Sequence, residues 1–107
     1  MRVEVLYVAE CPFYPAAVKL LKDVLAAEDV VADIREVLVT DGSMARELRF
    51  CGSPTIRING RDIAGESQSP LSFAFACRMY PGTKEAGVPP LEMMQRAVRE
   101  ARLGEKT

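Results

Sequence analysis

Residues 55–64 read TIRINGRDIA, two short runs separated by Asn59-Gly60. Asn-Gly readily supplies the positive φ angles of a type I′ turn, whose twist matches that of the strands it joins, so the segment predicts a tight antiparallel hairpin. Upstream, VEVLYVA at 3–9 is a nearly continuous apolar run rich in valine, the pattern of a strand buried on both faces. From Cys11 the period changes. Val18, Leu21 and Leu25 recur at helical spacing while Lys19, Lys22 and Asp23 fall on the other side, which predicts a helix to about residue 28. VADIREVLV at 31–39 is short and β-branched and reads as a second strand. Asp41 and Ser43 can each cap a helix running through Leu48, with Gly52 placed to take the left-handed conformation that ends it.

Beyond the hairpin and a polar turn at 65–70, LSFAFACRMY sets Leu71, Phe73, Phe75, Cys77 and Met79 at two-residue spacing. A fifth strand is the preferred reading; a helix stays open, since Leu71, Phe75 and Met79 also share a helical face. A Pro- and Gly-rich connection follows, and Pro90 can take the first position of a closing helix whose stripe is Leu91, Met94, Val98 and Ala101. The last residues, GEKT, are expected to fray. A parallel strand pair needs a helical crossover and the hairpin adds antiparallel strands, so the order predicts an α/β domain with one mixed sheet flanked by helices.

Composition fits one such domain over residues 1–107. The chain is 49% hydrophobic, enough for one core. Fourteen Lys and Arg nearly balance fifteen Asp and Glu, so no electrostatic footprint calls for nucleic acid or an anionic membrane. No apolar run approaches the ~20 residues of a bilayer span, and no basic segment leads into a secretory apolar core, so a cytoplasmic location is expected. Three cysteines suit reduced thiols. With no histidine in the chain, Cys–His catalysis and ordinary zinc-enzyme sites are excluded. Neither a phosphate-cradling glycine loop nor a Cys-x-x-Cys metal signature is present, and no cofactor is called for.

The element order is that of the thioredoxin fold. FCGSPTIRING at 50–60 resembles the cis-proline segment of the thioredoxin-like superfamily, and residues 1–64 carry the likeness. Cys11-Pro12, Gly52 to Asp62 and Cys77-Arg78-Met79-Tyr80 look like the text of small bacterial thioredoxin-fold proteins with a single-cysteine CPxY site, some of them named after alkylmercury lyases. The resemblance implies a thioredoxin-like fold with an extra segment before the C-terminal helix. It also implies a cis Ser53–Pro54 bond and a nucleophilic role for Cys11.

In a dithiol thioredoxin a second cysteine three positions on resolves the mixed disulfide; here that position is Tyr14, whose phenol forms no disulfide. The expected activity is therefore that of a thiol–disulfide oxidoreductase lacking the second cysteine: exchange with, or reversible capture of, a thiol or disulfide protein or a small thiol through Cys11. A thiolate at a helix N-terminus is favoured by the helix dipole, and the neighbouring Glu10 opposes it. Whether the helix starts at Pro12 or at Pro15 decides whether Cys11 lies within reach of that dipole. Otherwise Cys11 is a small, partly buried hydrophobe at a strand end.

Cys51 lies three residues before Pro54 and is the candidate resolving thiol, or else packs at the end of the second helix. Cys77 follows the strand alternation and reads as a core cysteine. Phe13, Tyr14, Ser53 and Pro54 are the candidate substrate-binding residues, and the two aromatics have packing as the alternative. Arg57 and Arg61 read as solvated groups flanking the turn, with contact to an anionic ligand as the alternative. Two further classes stay open: a redox-inactive peptide- or protein-binding module on the Phe13, Tyr14 and Pro54 surface, and a binder of mercury or another thiophilic ion through Cys11 and Cys51. Oligomeric state is left open.

Overall fold

The computed structural model describes residues 1–50, 52–64 and 88–105. Along these residues the elements run β1 (Arg2–Tyr7), α1 (Tyr14–Ala27), β2 (Asp33–Leu38), α2 (Gly42–Glu47), β3 (Thr55–Ile58), β4 (Arg61–Asp62) and α3 (Leu91–Glu105). The strand expected at Leu71–Tyr80, with Cys77 in it, lies outside the described residues, as does Cys51.

The four strands form one mixed sheet in the order β2-β1-β3-β4. β1 is parallel to β2, with Arg2 opposite Asp33 and Tyr7 opposite Leu38, and antiparallel to β3, with Val3 opposite Ile58 and Leu6 opposite Thr55. This central place explains the apolar density of the 3–9 run. Alternation sends Val3 and Val5 to one face and Leu6 to the other. On the first face they pack with Ala17, Leu21, Val24 and Leu25 of α1, Ile56 and Ile58 of β3, and Met94 and Val98 of α3. On the second, Leu6 packs with Val39, Ala45 and Phe50 around α2. The chain is thus an α/β domain with helices on both faces of a mixed sheet.

The hairpin turns as its sequence requires, with Asn59 and Gly60 at φ 52° and 85° and Ile58 opposite Arg61. β4 is shorter than the RDIA run, because the Asp62 side chain accepts from the Ala64 N–H at 2.9 Å and turns the chain after two residues. Asn59 also bonds to the neighbouring strand: its N–H donates to the Arg2 carbonyl at 2.7 Å, and the Arg2 N–H donates to Asn59 Oδ1 at 2.9 Å.

Helix termination differs from expectation. Asp41 caps α2, accepting from the Met44 N–H at 2.8 Å. The helix ends on Arg49 rather than Gly52. Arg49 takes φ 54°, its N–H donates to the Arg46 carbonyl, and the Phe50 N–H reaches back to Ala45 at 2.8 Å, the paired bonds of a Schellman closure. α1 ends the same way on Asp29 at φ 55°, with the Val30 N–H on the Leu25 carbonyl. Glycine at each of these two positions would have marked the stop; arginine and aspartate conceal it. Gly52, at φ 109°, serves the loop before β3 instead.

Pro90 stands just before α3, not at its first position, and its carbonyl accepts from the Met93 and Met94 N–H groups. Met94 and Val98 are buried and Ala101 packs against them, but Leu91 is 51% exposed and lies off the stripe. Gly104 and Glu105 continue the helix, where fraying was expected. α3 is tied to the end of α1 through Glu28: Arg99 donates to both carboxylate oxygens, at 2.9 and 3.2 Å, and Arg102 to the Glu28 backbone carbonyl at 2.8 Å. The bonds from Arg99 hold the Glu28 carboxyl below its usual range, helped by the charges of Arg99 and Arg102.

Candidate functional site

The candidate residues gather where β1 ends. After Tyr7 the chain turns sharply, and the Cys11 N–H closes the turn on the Val8 carbonyl at 3.1 Å. Ala9 and Glu10 at the tip are exposed, while Cys11 itself is 7% exposed. Pro12 and Phe13 follow, and α1 begins at Tyr14 with Phe13 as its N-cap and Pro15 in its first turn. The cap has no side-chain bond, so the first turn relies on proline, which has no N–H to satisfy. Cys11 therefore precedes the helix by two residues beyond the cap instead of opening it, and is outside the first turn in which the dipole is felt.

The other half of the site is the loop before β3. Gly52, Ser53, Pro54 and Thr55 are all buried. Ser53 is 0% exposed, and its Oγ accepts from the Val8 N–H at 3.1 Å. The Ser53–Pro54 peptide bond is cis. Thr55 Oγ1 donates to the Gly52 carbonyl at 2.6 Å and so closes the loop on itself. Val8 is thus held through both of its backbone polar groups, by Cys11 on one side and by Ser53 on the other. That arrangement brings two of the sequence-derived candidates to one strand end.

Arg57 adds a fixed point that the alternation of TIRI conceals. It was expected in solvent, yet its guanidinium donates to the backbone carbonyls of Leu48 and, at 2.9 Å, of Arg49. A cation over the last carbonyls of a helix satisfies acceptors left open by helix geometry. Here it ties the end of α2 to β3. Arg61 is exposed, as expected.

Tyr14 stands where a second site cysteine would be, and it makes specific contacts. Its ring stacks on Tyr7, with centroids 3.9 Å apart and planes inclined by 11°. Its hydroxyl donates to a carboxylate oxygen of Glu36 on β2. Sequence reading missed both partners. The signal for Tyr7 was strand parity, since Val3, Val5 and Tyr7 share the face beneath α1; Glu36, an exposed charge on a strand, offered none. Phe13 beside them is half-buried.

Burial first, and then the bond to Glu36 and its negative charge, raise the Tyr14 phenol well above its ordinary value. A group whose folded value is raised contributes stability that is fully present below its unfolded value, about 10 for tyrosine, and lost as pH climbs above it. Wild-type unfolding free energy should therefore decline above about pH 10, and Tyr14→Phe should flatten that decline. An alkaline limb identical in the two proteins would remove Tyr14 as its source.

Cys51, the candidate resolving thiol and second metal ligand, lies outside the described residues. Among the described residues no group of three or more Cys, Asp or Glu side chains is arranged to hold a metal ion, and no helix is long and apolar enough to cross a membrane. Comparison of the chain with family models, with curated proteins and with solved structures finds no match.

Proposed function

We propose that this chain is a thioredoxin-like protein with a monothiol site, in which Cys11 exchanges with or captures a thiol or disulfide partner. The fold part of the reading is supported by the order strand, helix, strand, helix, hairpin, helix, and by a parallel β2-β1 pair beside an antiparallel β1-β3-β4 set. The observation that carries the functional part is the joint hold on Val8, which sets Cys11 and the Ser53-Pro54 loop at the same strand end.

The chemistry needs one thiolate. Cys11 Sγ attacks one sulfur of a disulfide; a bond forms between the two sulfurs, the original S–S bond breaks, and the displaced sulfur leaves as a thiolate with the electron pair. Cys11 is oxidised to a mixed disulfide and the leaving half is reduced. A low-molecular-weight thiolate then attacks the partner's sulfur in that mixed disulfide: a new disulfide forms between the two, the bond to Cys11 breaks and Cys11 leaves as a thiolate, a release Tyr14 cannot perform because it has no sulfur. Capture is the expected resting outcome where that thiol is scarce. A small thiol or a disulfide-bearing protein would serve as partner, and a reducing compartment such as the cytoplasm would supply the releasing thiol.

The burial of Cys11 favours a second reading, a redox-inactive module that binds a peptide or protein over Phe13, Tyr14 and Pro54. One experiment separates the two. Folded protein is incubated with oxidised glutathione and the adduct is located by peptide mass spectrometry. The monothiol reading expects one glutathione on Cys11, removed by reduced glutathione and absent from that peptide in Cys11→Ser. A Cys11 that stays unmodified in folded protein, while the same peptide reacts fully after unfolding, would leave the binding module as the surviving reading.

A further inference from the structure

β2 is an edge of the sheet, and among the described residues nothing pairs with its outer side. An uncovered strand edge is a template for another strand. The N–H groups of Asp33 and Val39 donate to the carbonyls of Met1 and Tyr7. By the two-residue alternation of a strand, Asp33, Arg35 and Val37 therefore turn their backbone groups toward β1, while Ile34 and Glu36 turn theirs outward. A second copy pairing antiparallel about a twofold axis normal to the sheet can bond only through those outward groups, which restricts the register to steps of two.

Charge then selects among the few registers available. Setting Arg35 opposite its own copy, Glu36 opposite its own copy, or Asp33 opposite its own copy places like charges face to face, which is destabilising. Of the registers that avoid this, the one centred on Ile34 opposite Ile34 is alone in setting opposite charges of the strand face to face: Asp33 lies opposite Arg35 twice, once on each side of the axis. Those pairs fall at non-hydrogen-bonded positions, where facing side chains come closest. Within one chain Asp33 and Arg35 already pair at 3.4 Å across the exposed face of β2. Glu36 falls opposite Ala32, too small to disturb its bond with Tyr14. Continued beyond the strand ends, the ladder brings Val31, 93% exposed, beside Val37 of the second copy.

We infer that the chain forms a twofold homodimer through β2, in the register that pairs Asp33 of each copy with Arg35 of the other. The inference is independent of the thiol chemistry proposed above. Edge pairing alone buries less than a standard interface, so the dimer is a weak one that assembles with rising concentration.

Sedimentation equilibrium over a wide concentration range tests it on wild type, Asp33→Arg, Arg35→Asp and an equimolar mixture of the two variants, with circular dichroism and thermal melts to establish folding. Wild type is expected to dimerise, and each variant alone to dissociate about tenfold more readily because both contacts become like-charged. The mixture should recover wild-type affinity, since the arginines of one variant face the aspartates of the other at both contacts. If either variant fails to fold, Val31→Lys at its exposed position carries the test and should weaken the dimer by removing the apolar end contacts. Wild type that stays monomeric, a dimer indifferent to every substitution made, or a mixture of folded variants that stays monomeric would each overturn the inference.

Discussion

Phe50→Ala should lower the unfolding free energy by about 3–5 kcal/mol, the range found when a buried aromatic ring is truncated in a core that cannot collapse around the gap. Phe50 is the largest fully buried side chain among the described residues, at 0% exposure. Among the described residues its cluster has Leu6, Val39 and Ala45 as the other fully buried members, with Val8, Val37, Met44 and Leu48 packed around them. Its backbone is fixed as well, because its N–H closes the end of α2. Against a total stability of about 5–15 kcal/mol for a domain of this size, the loss removes roughly a fifth or more of the whole. Urea melts should show a lower midpoint with an unchanged slope. Leu38→Ala, at a 40% exposed position, should stay within about 0.5 kcal/mol. Equal losses at the two positions would mean that the α2 face of the sheet is not a packed core.

Ser53→Ala should cost about 1–3 kcal/mol, the range for a buried donor left without its acceptor. The donor is the Val8 N–H, from which Ser53 Oγ accepts at 3.1 Å. The substitution removes one atom and adds none, so any structural response comes from the lost bond. Val8 also receives the Cys11 N–H, and loosening it should carry through to the thiol. Cys11 is therefore expected to react faster with a polar thiol reagent in folded Ser53→Ala than in folded wild type. Stability lost with no change in that rate would show that the two halves of the site share a strand end without being coupled.

The hairpin, β1 and β2 were legible because their signals are local. Asn59-Gly60 needs only its own backbone preference to declare a turn, and Asp41 needs only a helix three residues ahead to declare a cap. The ends of α1 and α2 were not legible for the converse reason. Asp29 and Arg49 adopt left-handed conformations that their residue types do not advertise, and the bonds that hold them are backbone bonds available to any sequence. Gly52 attracted the helix stop because it was the nearest glycine, whereas its positive φ serves a different turn.

Within the candidate site, the placement of Cys11 near the Ser53-Pro54 loop could be read from family likeness, but the link itself is a backbone residue, Val8, which carries no chemical signature. The same holds for Arg57, whose alternation with Ile56 and Ile58 correctly turned it away from the core but could not show that helix carbonyls were waiting there. Tyr14 was recognisable as the residue that is not a cysteine. That it would stack on Tyr7 and bond to Glu36 depends on the parallel pairing of β1 with β2, a contact between segments about thirty residues apart, and long-range pairing of this kind leaves no local trace.

The central position of β1 has a consequence for how the molecule opens. Each of its residues faces a partner in β2, and Val3 to Leu6 also face β3, so its amide protons can meet solvent only when most of the sheet separates. Such protons exchange at the rate set by global unfolding, whereas a six-residue helix such as α2 can detach by a smaller fluctuation. Val8 and Cys11 are attached to the end of that slow strand. Solvent therefore has two routes to the thiol: a local fraying of the turn at Ala9 and Glu10, or the rare opening of the whole domain. The dependence of Cys11 reactivity on denaturant tells which is used, flat for the first and steep for the second.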